Sequence, residues 1–253
     1  MHGEDGYMIL KFICCDVFCR IACQLAATSP HIVDVEFLPM LVYVDPDALR
    51  KQLQEKIDSA INSGRVYDAI ILGYGLCGNS VVGLTSDVPM VIMRAHDCCT
   101  VHMGSKESFL EAFGNSLSSA WSSTGSYERA YMQSGGYSLL EQEPNYKSTQ
   151  EYISYLEQYG EEDADYIWDS LHPKIDSSET FYIKIDGFEY SNAYESYSAL
   201  SKSNGKQCKA VYGDISMLKA LVYGQWQDSR LLVIKPGQKI AGVYDMNEVM
   251  KAE

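Results

Sequence analysis

Ala69-Ile70-Ile71-Leu72-Gly73-Tyr74-Gly75-Leu76-Cys77-Gly78-Asn79 is a short apolar run that passes at once into a glycine-rich turn. A continuous apolar run of that length suits a strand buried on both faces, as parallel sheets require. Three more stretches read the same way: Met8 to Ile13, Val33 to Leu38 and Met90 to Met93. Helical signals separate them. Asp16 to Leu25 is a predicted helix. Asp45-Pro46 makes a second helix start, an N-cap followed by proline in the first turn. Leu49, Leu53, Ile57 and Ile61 recur every four residues behind it, giving one buried stripe that Gly64 ends. Strands alternating with helices predict an α/β fold, a mostly parallel sheet flanked by helices.

The second half repeats the alternation less clearly. Helical patterns cover Thr149 to Tyr159 and Glu162 to Leu171, and strands are predicted at Phe181 to Ile185, Lys209 to Tyr212 and Leu231 to Ile234. A helix carrying Ile215, Leu218 and Leu221 lies between the last two. The expectation is one α/β domain over residues 8–253. Residues 8–113 form its first lobe and 137–253 a second lobe facing it, both Rossmann-like. Residues 114–136 read as a Ser/Gly-rich loop, whose Trp121, Tyr127 and Tyr131 suit a covering flap. Residues 1–7 read as a mobile leader.

The chain has 253 residues, 46% of them hydrophobic and 21% charged, which argues for a folded core and against global disorder. Its net charge of −14 disfavours nucleic acid and anionic membranes as partners. No apolar run approaches the ~20 residues that span a bilayer. Glu4 and Asp5 stand where a signal peptide wants positive charge. A cytoplasmic protein is the expectation, and its eight cysteines then read as thiols, metal ligands or core residues rather than disulfides.

In a parallel sheet, ligands gather beyond the carboxyl ends of the strands. Three of the first four predicted strands end in cysteine-bearing segments: Cys14-Cys15, then Gly73 to Asn79 with Cys77, then Arg94-Ala95-His96-Asp97-Cys98-Cys99. Three thiolates and an imidazole suit zinc, and three thiolates suit an iron–sulfur cluster with one iron open. Cys19, Cys23 and Cys208 are assigned mainly to the core, since free cysteine often only fills space. His102, four residues after Cys98, could reach the same site on a helix, though a surface histidine is the preferred reading, and His2, His31 and His172 read as leader or loop residues.

Gly73, Gly75 and Gly78 spell G-x-G-x-x-G after a strand. A dinucleotide site needs a full helix next and an acidic residue ~20 positions on. The helical stretch here is short, Gly83 breaks it, and the next strand ends in Arg94. The preferred reading is that these glycines let the backbone approach a bound group and aim Cys77.

The segments Leu72 to Asn79, Arg94 to Cys98 and Gly104-Ser105 resemble a bacterial and archaeal family known as domain of unknown function 1638. The resemblance continues through Tyr159 to Glu162 and Tyr212-Gly213-Asp214 to Pro236-Gly237. It implies Cys15, Cys77, His96 and Cys98 as the site, with Cys14, Cys99 and His102 at ordinary apolar positions. This chain departs from the family at Tyr43, where a histidine is usual, and at Thr124-Gly125-Ser126, where Pro-Gly-Trp is usual.

The functional expectation is a protein that binds a metal ion, zinc first, or an iron–sulfur cluster. The resemblance adds service to corrinoid-dependent methyl transfer, with a corrinoid or methyltransferase protein as partner. One alternative is a zinc enzyme that activates a thiol as methyl acceptor, Arg94 holding an anionic substrate group. Another is a metal-free nucleotide-binding module built on the glycine loop.

Overall fold

A computed structural model describes residues 6–40, 45–114, 119–134, 150–161, 163–165, 167, 178–243 and 248–253. The main sheet has five strands in the order β2-β1-β3-β4-β8. Four are the predicted parallel strands: β1 Ile9–Cys15, β2 Ile32–Leu38, β3 Ala69–Gly73 and β4 Met90–Met93. The edge strand β8, Leu231–Ile234, runs antiparallel beside β4. β1, β3 and β4 are buried nearly throughout, as their unbroken apolar runs require. Lys11 is the exception within β1. It lies 3.0 Å from Glu36 and 3.6 Å from Asp34, both on β2, so its buried charge is paired.

A 3-10 turn, Asp16–Phe18, leads from β1 into α1, Cys19–Thr28. Helix α2, Pro46–Ile61, begins as its sequence signal predicts: Asp45 accepts hydrogen bonds from the Asp47 and Ala48 amides at 3.1 and 3.0 Å. Leu49, Leu53 and Ile57 are its buried stripe. After β4 come α3, Cys98–His102, and α4, Lys106–Phe113.

The segment read as a Ser/Gly-rich loop is different. Within it, Trp121–Ser123 is a strand, β5, and Thr124–Ser134 a helix, α5. Residues 115–118 and 135–136 of that segment lie outside the described residues. β5 starts a second, all-parallel sheet in the order β5-β6-β7, with β6 at Glu179–Lys184 and β7 at Gln207–Tyr212. Helix α6 spans Gln150–Tyr159, and α7, Ala193–Ser203, joins β6 to β7. Trp-Ser-Ser carries no apolar run, so periodicity could not reveal β5. Its serines are buried through hydrogen bonds instead: Ser123 Oγ accepts from the Ser126 amide at 3.2 Å.

The second lobe is also shorter than expected. Helix α8, Ser216–Val222, and β8 return to the main sheet. The run Leu-Leu-Val-Ile announces a buried strand but not its neighbour. A two-stranded antiparallel ribbon, β9 Ile240–Gly242 and β10 Met250–Ala252, ends the chain. Of the expected leader, residues 1–5 lie outside the described residues, as do most of the helix expected over Glu162 to Leu171, His172 and Tyr43. No described helix is long and apolar enough to cross a membrane.

The carboxyl ends of the two parallel sheets meet. The Asp214 amide, just past β7, donates to the His102 carbonyl at 2.9 Å. Phe113 of α4 stacks on Phe181 of β6 with ring centroids 4.3 Å apart. Gly125, at the start of α5, faces the turn after β1 so closely that a Cβ there would sit 1.9 Å from the Val17 carbonyl oxygen. Neither partner is a flexible side chain, so backbone has to move. Gly125→Ala is expected to cost about 2 kcal/mol and to lower the thermal midpoint by roughly 4–8 °C. Thermal unfolding followed by circular dichroism checks this, and an unchanged midpoint would mean that the two sheet ends are not in contact there.

A candidate thiol site at the switch point of the sheet

The strand order 2-1-3-4 places a topological switch point between β1 and β3, where doubly wound sheets bind ligands. Cys15 ends β1, and β3 runs directly into the turn that carries Cys77. The turn is fixed to the segment following β4 by two backbone hydrogen bonds. Leu76 N–H donates to the Ala95 carbonyl at 2.8 Å and Cys77 N–H to the His96 carbonyl at 2.9 Å. Gly75 is needed for that approach, because a Cβ there would meet the Ala95 oxygen at 2.7 Å. Gly78 has φ +65°. Cys77 (φ 46°) and Asn79 (φ 69°) also adopt the left-handed region, which is strained for residues with a Cβ.

The arrangement brings Cys15, Cys77 and Cys98 into one another's fields. Burial lifts the Cys15 thiol to about 12, with Asp16 and Cys77 adding to the rise. Burial likewise lifts Cys77 to about 12, with Asp97 contributing. Cys98 is pushed well above the usual thiol range, first by burial and then by Cys77 and Cys15. Backbone N–H groups of Val17 and Gly75 oppose the rise at Cys15 and Cys77. By exposure Cys15 and its neighbour Cys14 are buried, as is Cys99, whereas Cys77 and Cys98 are half-buried; burial is the largest cause of the raised pKa of Cys14 and Cys99. Besides Cys15 and Asp16, the Cys14 thiol feels Cys19 and Cys23 on α1, which do not act on Cys15 or Cys98. Strand alternation explains the divergence of Cys14 from Cys15.

Two buried polar atoms in the segments that carry the thiols have no hydrogen-bond partner among the described residues: His96 Nε2, two residues before Cys98, and Tyr74 Oη, three residues before Cys77. Tyr74 is only 4% exposed, and burial followed by Cys15, Cys14 and Cys77 raises its pKa. Asp16 Oδ1 is a third such atom. Among the described residues, no group of three or more His, Cys, Asp or Glu side chains is arranged so as to hold a metal ion. The thiols are neighbours, therefore, and not a ready coordination sphere.

Several expected roles change. No helix follows Gly73-Gly75-Gly78; residues 77–83 are turn, so the helix N-terminus of a dinucleotide site is missing there. Arg94 Nη1 donates to the main-chain carbonyls of Glu248 and Met250, which ties it to the terminal ribbon rather than to an anionic substrate. Cys19 is half-buried and Cys23 exposed, so neither is a core residue, whereas Cys208 does pack on the small cluster around Tyr182 and Tyr197. His31 is a loop residue whose Nδ1 accepts from the Met8 amide at 3.2 Å.

His102 is the largest correction, since it is 2% exposed and not a surface residue. Its ring stacks near Phe18, centroids 4.6 Å apart, within the seam between the sheets. Nδ1 lies 2.7 Å from the Cys98 carbonyl, which can only accept, so Nδ1 carries the proton. Nε2 is then free to accept from Ser123 Oγ at 3.3 Å. The cavity beside this pair has about 20 Å³, room for a single water, so the pair is a clamp and not a nucleophile facing substrate. The i+4 spacing from Cys98 was the available signal; the buried serine partner carried none.

These features define the class: an α/β protein with a mostly parallel sheet and a group of cysteines at its switch point. A family model described as "Protein of unknown function (DUF1638)" matches residues 37–222, well over half of the chain, and the chain belongs to that family. The match includes Cys77, His96 and Cys98 and begins after Cys15. No curated protein and no solved structure matches the chain.

Burial lowers the His102 pKa from 6.5 to about 4. The unfolded chain then binds the proton more readily, so the stability from neutral His102 is complete above pH 6.5 and is lost as pH falls toward 4. The span corresponds to roughly 3 kcal/mol. In chelator-treated protein, His102→Gln should flatten the stability profile over this window relative to the unmodified chain. Parallel profiles from denaturant unfolding at a series of pH values would show that His102 is not buried neutral.

Proposed function

We propose that this protein binds a thiophilic metal ion or metal cluster through Cys15, Cys77 and Cys98, with His96 as fourth ligand or as a group behind the ligands. The observation that carries the reading is that Cys15 ends β1 while a backbone hydrogen bond ties the Cys77 turn to the segment bearing His96 and Cys98, so that one buried and two half-buried thiols act on one another beside the orphaned Tyr74 Oη. Each thiolate raises the cost of the next, and a cation reverses that interaction. Thiolate sulfur and imidazole nitrogen are the donor set zinc prefers, and three thiolates also fit a cluster with one open iron. The backbone amides of Val17 and Gly75 favour the charged forms of Cys15 and Cys77, as amides near metal-bound thiolates do. Loading requires the thiol side chains to rotate inward and release their protons. We place this site in the service of corrinoid-dependent methyl transfer, a setting that rests on the family resemblance alone.

The test is metal stoichiometry and an absorption spectrum on anaerobically purified protein and four variants. Cys15→Ala and Cys98→Ala should lose the metal, because each leaves an incomplete site. Cys14→Ala and Cys99→Ala should retain it, with circular dichroism confirming that all four are folded. If all four keep full metal, these cysteines are packing residues and the proposal fails. If Cys14→Ala and Cys99→Ala are the ones that lose it, the ligands are the neighbouring thiols.

A further inference from the structure

Cys19 and Cys23 have no part in the buried site, yet packing does not account for them. They stand four residues apart on α1, on one face of the helix. Burial raises the Cys23 pKa, and Cys19 adds to the rise. Both line an open groove of about 460 Å³, together with Arg20, Glu128, Arg129 and Tyr190. The wall of this groove is held in place. Arg20 donates to Glu128 at 2.7, 2.9 and 3.0 Å, and its guanidinium lies 4.8 Å from the centre of the Tyr190 ring. Glu128 thereby neutralises Arg20. Arg129 stands 4.0 Å from Asp16 and has an Nε without a hydrogen-bond partner among the described residues. Behind the groove lies Cys14, fully buried, whose sulfur is 3.4 Å from the Cys15 carbonyl. Exposure thus falls stepwise from Cys23 through Cys19 to Cys14 and Cys15.

We propose that Cys19 and Cys23 form a solvent-reached two-thiol port in this groove, which takes up a thiophilic divalent cation and passes it to the buried thiols. The delivery role rests on the buried site proposed above. Binding releases one proton from each thiol to solvent, and the dithiolate–cation unit is neutral. Two thiolates leave two of four tetrahedral positions to water, so the complex is open and exchangeable. A site of three thiolates and an imidazole is closed, and the cation moves from the first kind to the second. The positive Arg129 guanidinium, which also lines the groove, favours the Cys23 thiolate against the rise that burial and Cys19 impose on it.

Cadmium is the probe, since it shares zinc's charge and thiolate chemistry and gives a thiolate-to-metal absorption. Rapid mixing of metal-free protein with Cd²⁺ should show a fast phase followed by a slower one. In the double variant Cys19→Ser/Cys23→Ser, altered only on the exposed face, the fast phase should vanish. The buried site should then fill about tenfold more slowly to an unchanged final stoichiometry. In Cys77→Ser/Cys98→Ser the fast phase should persist while the final stoichiometry falls. An unaltered fast phase or filling rate in Cys19→Ser/Cys23→Ser overturns the port. A fast phase that depends on Cys19 and Cys23, with unchanged stoichiometry in Cys77→Ser/Cys98→Ser, overturns the buried site instead and removes the delivery role with it.

Discussion

The parallel register of β1 against β3 sets the position of every thiol near the site. Cys14 pairs with Gly73, and Leu72 with Ile92 of β4, so three strand ends finish side by side. The Cys14–Gly73 pair is a steric lock, because a Cβ on residue 73 would sit 2.3 Å from the Cys14 sulfur. A slip of one residue would turn every side chain of β1 to the other face. It would exchange Cys14 with Cys15 and move Lys11 away from Glu36 and Asp34. Thiol placement and the pairing of a buried charge therefore depend on the same register.

The seam between the two sheets joins small polar residues to apolar contacts: Phe113 stacks on Phe181, and Ile183 and Ile185 belong to the same core cluster as Val17 and Phe18. Gly125 admits the Val17 carbonyl, and Ser123 holds both the α5 start and the His102 ring. Thr124 Oγ1 reaches the Tyr182 hydroxyl at 3.0 Å. Buried hydroxyls of this kind hold their place only while each finds a partner. The seam lies one short turn from Cys15 on one side and at the end of the Cys98 helix on the other. Its hydrogen bonds therefore fix the two elements that carry two of the proposed ligands.

The main sheet was legible because its strands are apolar throughout and its helices carry strong start signals, as at Asp45-Pro46. The second sheet was half legible. β6 and β7 have apolar or aromatic alternation, whereas β5 is Trp-Ser-Ser and is stabilised by hydrogen bonds that no periodicity records. The return of β8 to the first sheet was not legible, since an apolar run does not encode its partner. At the site, strand-end logic led to Cys15, Cys77 and Cys98. It could not lead to Tyr74 or Asp16, whose importance is the lack of a partner. It misplaced Cys19 and Cys23 because helical spacing identifies a face without saying whether that face is covered.

Several costs in this fold fall at one edge, although Arg50 Nε, Arg129 Nε and Tyr197 Oη also lack partners among the described residues and Ser191 and Val249 also have positive φ. A buried polar group without a partner costs about 1–3 kcal/mol, and His96 Nε2, Tyr74 Oη and Asp16 Oδ1 all lie at the carboxyl edge of the main sheet. A non-glycine residue in the left-handed region adds about 1–2 kcal/mol, and Cys77 and Asn79 are consecutive but for Gly78. Three thiols held far above their usual pKa belong to the same edge. Packing alone would favour apolar residues at these positions, since each is next to Val, Ile or Leu strands that already fill the core. The proposed cation would act on several of these costs together. In that proposal the imidazole nitrogen would gain a partner as a ligand, the thiolates would be stabilised, and the strained Cys77 turn would serve to aim its sulfur.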